Sequence, residues 1–264
     1  GLGVQVNTAD VQSPGLCWNA NHKFWITTYS TSSTSWDGFA RTLTPGTPGA
    51  SSPTVGSEQA LGSSVHHKYQ NVAYDLQNNQ ILMHGLSTGG GHNGSGMESV
   101  SRAAVASDGT ITPYQYAIGS QDSYGSGTNF YFTPYIIYIG NGTFASLSYR
   151  GTAPAGAYND RQSSQICIWK WNGVGNNLYT KAAEATATKT GASGANTYGM
   201  RYHLCPIGSN GKFCMVWTAG SSGAGEGWYR IGNFDGSTLT LGTAGKFADY
   251  NTSSFSQVAY DENA

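Results

Sequence analysis

Charge is the scarcest property of this chain. Only 10% of its 264 residues are charged, and the formal net charge is -1. An ordinary domain carries about a quarter. Without a basic excess there is no electrostatic footprint for nucleic acid or an anionic membrane, so neither partner is expected. Long apolar runs are missing too. Residues 135–139 form one of the longest, far below the roughly 18 needed to span a bilayer, so no membrane span is expected. Cysteine is sparse: Cys17, Cys167, Cys205 and Cys214 lack C-x-x-C or Cys/His zinc spacing, and no metal or other cofactor is expected. Four reduced thiols fit the spacing, as do bridges; if two form, three pairings are open. Cys205 and Cys214 flank one turn and are expected as diagonal neighbours across a hairpin. No Gly-x-Ser-x-Gly elbow and no phosphate-binding loop occurs. The chain starts at Gly1 without a basic and apolar leader, which reads as a processed or excerpted polypeptide.

What replaces charge is Gly (37 residues), Tyr (17), Ser, Thr and Asn. Disorder is not implied, because 12% aromatic and 38% apolar residues can fill a core. Gly-rich turns between short aromatic and β-branched runs predict an all-β protein. One phrase recurs: an apolar strand, a tight polar turn and a second apolar strand. It reads Leu16-Cys17-Trp18-Asn19 into Lys23-Phe24-Trp25-Ile26, then Val72-Ala73-Tyr74-Asp75 into Gln80-Ile81-Leu82-Met83. Ile136-Ile137-Tyr138 into Thr143-Phe144-Ala145-Ser146 follows, then Leu204-Cys205-Pro206 into Lys212-Phe213-Cys214-Met215. A fifth copy, Val258-Ala259-Tyr260-Asp261, stops before a partner strand. Copies begin at 16, 72, 136, 204 and 258, steps of 56, 64, 68 and 54, a spacing typical of repeated supersecondary units.

Each unit reads as four strands. In the last complete unit these are 203–207, 212–217, 227–232 and 237–242, with turns at Ser209-Asn210-Gly211 and Phe234-Asp235-Gly236. Third strands elsewhere are 38–42, 100–105 and 166–171. Residues 181–188 come nearest to a helical period, but their Thr and Tyr neighbours argue for strand. Residues 89–96, 119–127 and 191–196 read as long surface loops. The expected architecture is a single repeat domain, 1–264, of β-propeller-like four-stranded antiparallel units; the alternative is a linear β-repeat stack. Units fall at about 13–69, 70–130, 131–200 and 201–255, with partial unit strands at 1–12 and 256–264. Residues 1–7 look like the fourth strand that precedes each first strand, so either the ends meet in one extra blade or the chain is part of a longer array.

The run Gly227-Trp228-Tyr229-Arg230-Ile231-Gly232, Asp235-Gly236, Leu239-Thr240-Leu241-Gly242 and Ser256-Gln257-Val258-Ala259-Tyr260-Asp261 resembles repeats of bacteriophage virion and tail-fibre proteins. The second unit matches through Val72-Ala73-Tyr74-Asp75 and Asp108-Gly109, whereas the third has Gly140-Asn141-Gly142 in place of the Tyr-Asp hairpin. The resemblance is strong over the last 40 or so residues and looser elsewhere. It implies an exposed virion surface protein and no reaction.

Several residues carry chemistry in principle. One cation recurs in every third strand: Arg41, Arg102, Lys170 and Arg230. They read either as a positive ring or row for an anionic glycan or as a repeated packing position. His66-His67 with Tyr69, and Arg201-Tyr202-His203, precede first strands. In a propeller-type polysaccharide lyase, His67, Tyr69, Arg201 and His203 would abstract a sugar C5 proton and neutralise the carboxylate. Glycoside hydrolysis needs two converging carboxylates, and Ser107-Asp108-Gly109-Thr110 is only faintly similar to a sialidase Asp-box. Trp36, Tyr124, Tyr158, Trp228 and Tyr229 flank Gly/Ser loops, where rings can stack on sugar faces or partner loops. The expected function is therefore a structural or recognition module at an extracellular or virion surface. It binds a glycan, a cell-surface receptor or other virion proteins, and homo-oligomers fit the same reading. The alternative is a secreted lyase or glycosidase.

Overall fold

The recurring phrase folds as a hairpin because its polar residues make the turn. Asn19 Oδ1 accepts the N–H groups of Asn21 (3.1 Å) and His22 (3.0 Å), and Asp75 Oδ1 accepts those of Gln77 (2.9 Å) and Asn78 (3.2 Å). The short polar side chain at the strand end thus satisfies turn donors that the ladder leaves over. Each of these loops has four residues and closes on a positive φ, at Lys23 (62°) and Asn79 (52°). The fourth unit uses Gly211 (86°) at that position. The third unit instead makes a two-residue turn, with positive φ at both Asn141 (52°) and Gly142 (63°), the pattern of a type I′ hairpin.

The structure is a computed structural model describing residues 5–7, 11–31, 38–47, 51–61, 67–88, 96–114, 119–123, 135–150, 163–174, 178–189, 202–219, 226–248 and 258–261. These residues form four antiparallel sheets in chain order and no helix, so none is long and apolar enough to cross a membrane. The first sheet contains β1 (Val11–Asn19), β2 (Phe24–Thr31) and β3 (Gly38–Thr44), with β4 (Thr54–Val55) and β5 (Gln59–Ala60) both on β3. The second contains β6 (His67–Asp75), β7 (Gln80–Thr88) and β8 (Gly96–Val105), with β9 (Ile111–Pro113) and β10 (Gly119–Ser123) both on β8. The third runs β11 (Tyr135–Gly140), β12 (Thr143–Arg150), β13 (Ser163–Trp171) and β14 (Tyr179–Lys189). The fourth contains β15 (Tyr202–Ile207), β16 (Lys212–Ala219) and β17 (Glu226–Phe234), with β18 (Leu239–Leu241) and β19 (Gly245–Ala248) both on β17.

Three details correct the sequence-based expectation. The fourth strand is interrupted in every sheet but the third, where β14 runs unbroken through residues 181–188. The expected loop at 119–127 begins as strand β10, because its first residues complete the ladder on the long β8. Cys205 and Cys214 stand directly opposite each other rather than diagonally. Both are free thiols, as are Cys17 and Cys167.

Alternation then decides how the sheets stack. The face carrying Leu16 and Trp18 in the first sheet, and their equivalents in the others, is the leading face; the face carrying Cys17 is the trailing one. Phe24, Ile26 and Ala40 on the first trailing face pack on Val72, Tyr74, Ile81 and Met83 on the second leading face. Ala73, Leu82 and Val100 pack in the same way on Ile136, Phe144, Cys167 and Trp169. Ile137, Ala145, Ile166 and Ile168 pack on Leu204, Phe213, Met215 and Trp217. Each fully buried side chain of this size contributes about 1.5–3 kcal/mol of apolar burial, so the three junctions hold the stack together.

Polar clamps cross the same junctions. Tyr179 Oη donates to the buried Asp75 Oδ2 (2.5 Å), Gly211 N–H to Ile139 O (2.8 Å) and Asn21 Nδ2 to Leu76 O (2.7 Å). First strands of consecutive sheets are neighbours: β1 with β6, β6 with β11, and β11 with β15. Residues 258–261 continue that series. Val258 N–H donates to His203 Nδ1 (3.3 Å), as Ile136 N–H donates to Asn71 Oδ1 (3.1 Å). The fifth copy of the phrase therefore lies where a next first strand belongs.

Candidate functional site

Among the described residues, two sheet faces carry exposed apolar side chains: the leading face of the first sheet and the trailing face of the fourth. On the first sheet, Trp18 and Trp25 are directly opposite across β1 and β2, with ring centroids 5.0 Å apart and planes tilted by 55°. Leu16 and Trp25 are 56% and 40% exposed. The equivalent residues of later sheets are Val72, Tyr74 and Ile81, then Ile136, Tyr138 and Phe144, then Leu204, Pro206 and Phe213; all are buried or half-buried under the preceding sheet. Leu43 extends the apolar surface opposite Trp25 on β3, and Arg41 lies two residues along the same strand and face. This platform lies on a sheet face, away from the Gly/Ser loops where the sequence places its candidate aromatics. Its signal was present, since Trp18 and Trp25 keep the phase of the buried pairs and enlarge both to indole.

Arg41 joins a polar network at the edge of that platform. Tyr29 Oη donates to Glu58 Oε2 (2.5 Å) and accepts from Arg41 Nε (2.9 Å) and Asn7 Nδ2 (3.3 Å). The Arg41 guanidinium also pairs with Glu58 at 3.2 Å. Burial first, and the bond to Glu58 second, raise the Tyr29 pKa. The phenol keeps its proton and acts as a bracket for the network, not as a nucleophile.

On the fourth sheet the trailing face is open. Tyr229 and Ile231 are each 40% exposed and Phe247 51%. The Tyr229 ring lies over Gly245 and the Phe247 ring over Gly227, where an added Cβ would come within 2.5 Å of ring carbons. Residues at the register of Tyr229 in the other sheets, Ala40, Val100 and Ile166, are fully buried. Thr42, Arg102 and Ile168, at the register of Ile231, are buried too.

The four third-strand cations do not form a ring. Arg41 and Arg230 share a register, opposite Thr27 and Met215. Arg102 is one residue further on, opposite Leu82, and Lys170 lies at the hairpin end, opposite Thr143. Each has a partner among the described residues, Arg41 through its pair with Glu58. Arg102 is buried, donates to Gln80 Oε1 (3.2 Å) and sits 4.3 Å over the Tyr114 ring, and burial lowers its pKa. Lys170 Nζ donates to Gly236 O (2.9 Å) and Arg230 Nη1 to Ala187 O (2.7 Å), each across the third junction. Here a recurring residue type, at three different registers, takes part in packing and clamping.

His203 is engaged as well. Its Nδ1 accepts the Val258 N–H, its ring lies 4.6 Å from that of Tyr135, and burial lowers its pKa. Trp228 is half-buried, with its ring against Trp217 (6.4 Å) and under Lys246 Nζ (5.2 Å), while its Nε1 donates to Glu226. Of the two described aromatic candidates, Trp228 and Tyr229, only Tyr229 is exposed. His67 and Tyr69 belong to β6, but their side chains lie outside the described residues, as do Trp36, Tyr124, Tyr158 and Arg201 entirely. Among the described residues no three His, Cys, Asp or Glu side chains are placed to hold a metal ion. Compared with known proteins, the chain matches no family model and no curated protein.

Proposed function

We propose that the protein is a recognition module of an extracellular or virion surface, binding a glycan on the leading face of its first sheet. The observation that carries this reading is the exposed Trp25 ring packed beside the half-buried Trp18, with Leu16 exposed next to them. Two indoles on a rigid sheet offer a broad stacking surface at little entropic cost, because the ladder already holds both backbones. Arg41 and Glu58 lie beside this surface, and a few placed polar groups next to an apolar floor are what orient a small ligand. The scaffold is read as a row of propeller-like blades that does not close on itself, supported by first strands that meet from sheet to sheet and by the exposure of Leu16 and Trp25. A lyase mechanism has less support, since His203 Nδ1 already accepts a backbone donor.

A glycan array followed by a tryptophan-fluorescence titration tests the reading. The wild type is expected to retain a neutral oligosaccharide, and Trp25→Ala to bind it about tenfold more weakly, equivalent to ~1.4 kcal/mol. The same wild-type protein leaves an acidic polysaccharide uncleaved. Absence of any retained glycan would overturn the proposal, as would unsaturated product from a polyuronate that disappears in His203→Ala.

A further inference from the structure

We infer that Cys205 and Cys214 are a reversible dithiol, which closes a cross-strand disulfide when it meets a low-molecular-weight disulfide. The two residues are paired directly across β15 and β16, two positions in from the Ile207–Lys212 pair that ends the hairpin. Their side chains therefore project from the same face of the sheet. Directly opposite residues of an antiparallel ladder have Cα atoms about 4.5–5.5 Å apart, inside the ~4.4–6.8 Å span that a disulfide bridges. Their Cβ atoms stand about 4.5–5.5 Å apart, against the ~3.8 Å of a bridge. Closure thus draws the strands together by on the order of 1 Å, and a bridge made this way is strained and readily reduced.

No other described strand pair sets two cysteines opposite each other. At the equivalent place the first sheet has Cys17 opposite Ile26 and the second has Ala73 opposite Leu82, each pair packed into a junction. Cys17 and Cys167 lie in two separate hydrophobic clusters, so neither is placed to compete for the pair. Little holds the two sulfurs where they are. Cys205 Sγ donates to Pro206 O at 3.4 Å and Cys214 Sγ to Met215 O at 3.9 Å, and thiols are weak donors. Cys214 is half-buried and Cys205 buried, so Cys214 is the point of entry. Its thiolate attacks one sulfur of the small disulfide and expels one thiolate. The Cys205 thiolate then attacks the Cys214 sulfur of the mixed disulfide and expels the other. The cysteine pair loses two electrons and two protons, and the reagent gains them as two thiols. Burial raises the pKa of both cysteines, so the exchange is slow at neutral pH.

Oxidised glutathione is the reagent that tests this. The wild type is incubated with it at about pH 8.5, near the ordinary thiol pKa, then quenched with acid, unfolded and alkylated. Of the four thiols, Cys17 and Cys167 are expected to take the label, with Cys205 and Cys214 linked in the non-reduced peptide map. Dithiothreitol should return all four. Cys205→Ser should stop the reaction at a glutathione adduct on Cys214, whereas Cys17→Ser should still form the bridge. Four labelled thiols in the oxidised wild type would overturn the inference. So would a lasting glutathione adduct on the wild type, or any bridge that includes Cys17 or Cys167.

Discussion

At the residue scale, the turns show how a few backbone positions set the hairpins. Gly208 and Gly211 both have positive φ in one loop, 64° and 86°, but their surroundings differ. A Cβ on Gly208 would meet nothing within 4 Å, whereas one on Gly211 would lie 2.0 Å from Phe234 O. Gly208→Ala should then cost only the left-handed conformation, about 1–2 kcal/mol. Gly211→Ala must in addition displace a strand carbonyl that follows its own ladder bond, for a loss on the order of 3–5 kcal/mol. Urea denaturation of both variants checks this, and equal losses would show that the loop relaxes freely. The turn at Ser209-Asn210-Gly211 was legible in the sequence, and its Gly211 takes the positive φ; Asn141-Gly142 takes it at both residues. Lys23 was not legible as a left-handed residue, because nothing in its chemistry favours φ > 0; the four-residue loop imposes it.

At the element scale, the junctions depend on the residue just ahead of each first-strand copy: Gly15, Asn71, Tyr135 and His203. Asn71 and His203 both accept the N–H of the next unit's leading residue, and a Cβ on Gly15 would stand 3.2 Å from Val72 N. One position thus serves a single role through different side chains. That is why His203, next to Arg201 and Tyr202, could be mistaken in sequence for an acid–base group: residue types were visible, but the neighbouring unit that uses them was not. The clamp is pH-sensitive. Burial holds the His203 pKa below its ordinary value of about 6.5, so the folded state binds the proton less well than the unfolded one. The clamp is intact above about 6.5 and is lost as pH falls through the lower folded value. Corrected amide exchange at Val258 should accelerate about fivefold between pH 7.5 and 5, the effect of one hydrogen bond worth ~1 kcal/mol. His203→Asn, which imitates Asn71, should remove the pH dependence; a persistent dependence would place the titrating group elsewhere.

For the whole molecule, the repeat made the four sheets, their order and most of the core legible, because each apolar alternation needs a neighbouring sheet to cover it. It could not show which faces remain uncovered. Trp25 follows the same pattern as Phe144, yet Trp25 is exposed and Phe144 buried, because no described sheet lies in front of the first one. Likewise Tyr229 was singled out for a neighbouring loop, but its exposure comes from lying on the last trailing face. The cations illustrate the converse: a recurring residue type in third strands reached different registers and became internal clamps. The proposed function therefore depends on the leading face of the first sheet being accessible. Hydroxyl-radical footprinting read by mass spectrometry tests that claim most directly. Leu16, Trp25, Ile231 and Phe247 should label readily, while Ile81, Phe144 and Phe213 stay protected. Protection of Leu16 and Trp25 equal to that of Ile81 and Phe144 would contradict the open stack and place both faces inside a closed one.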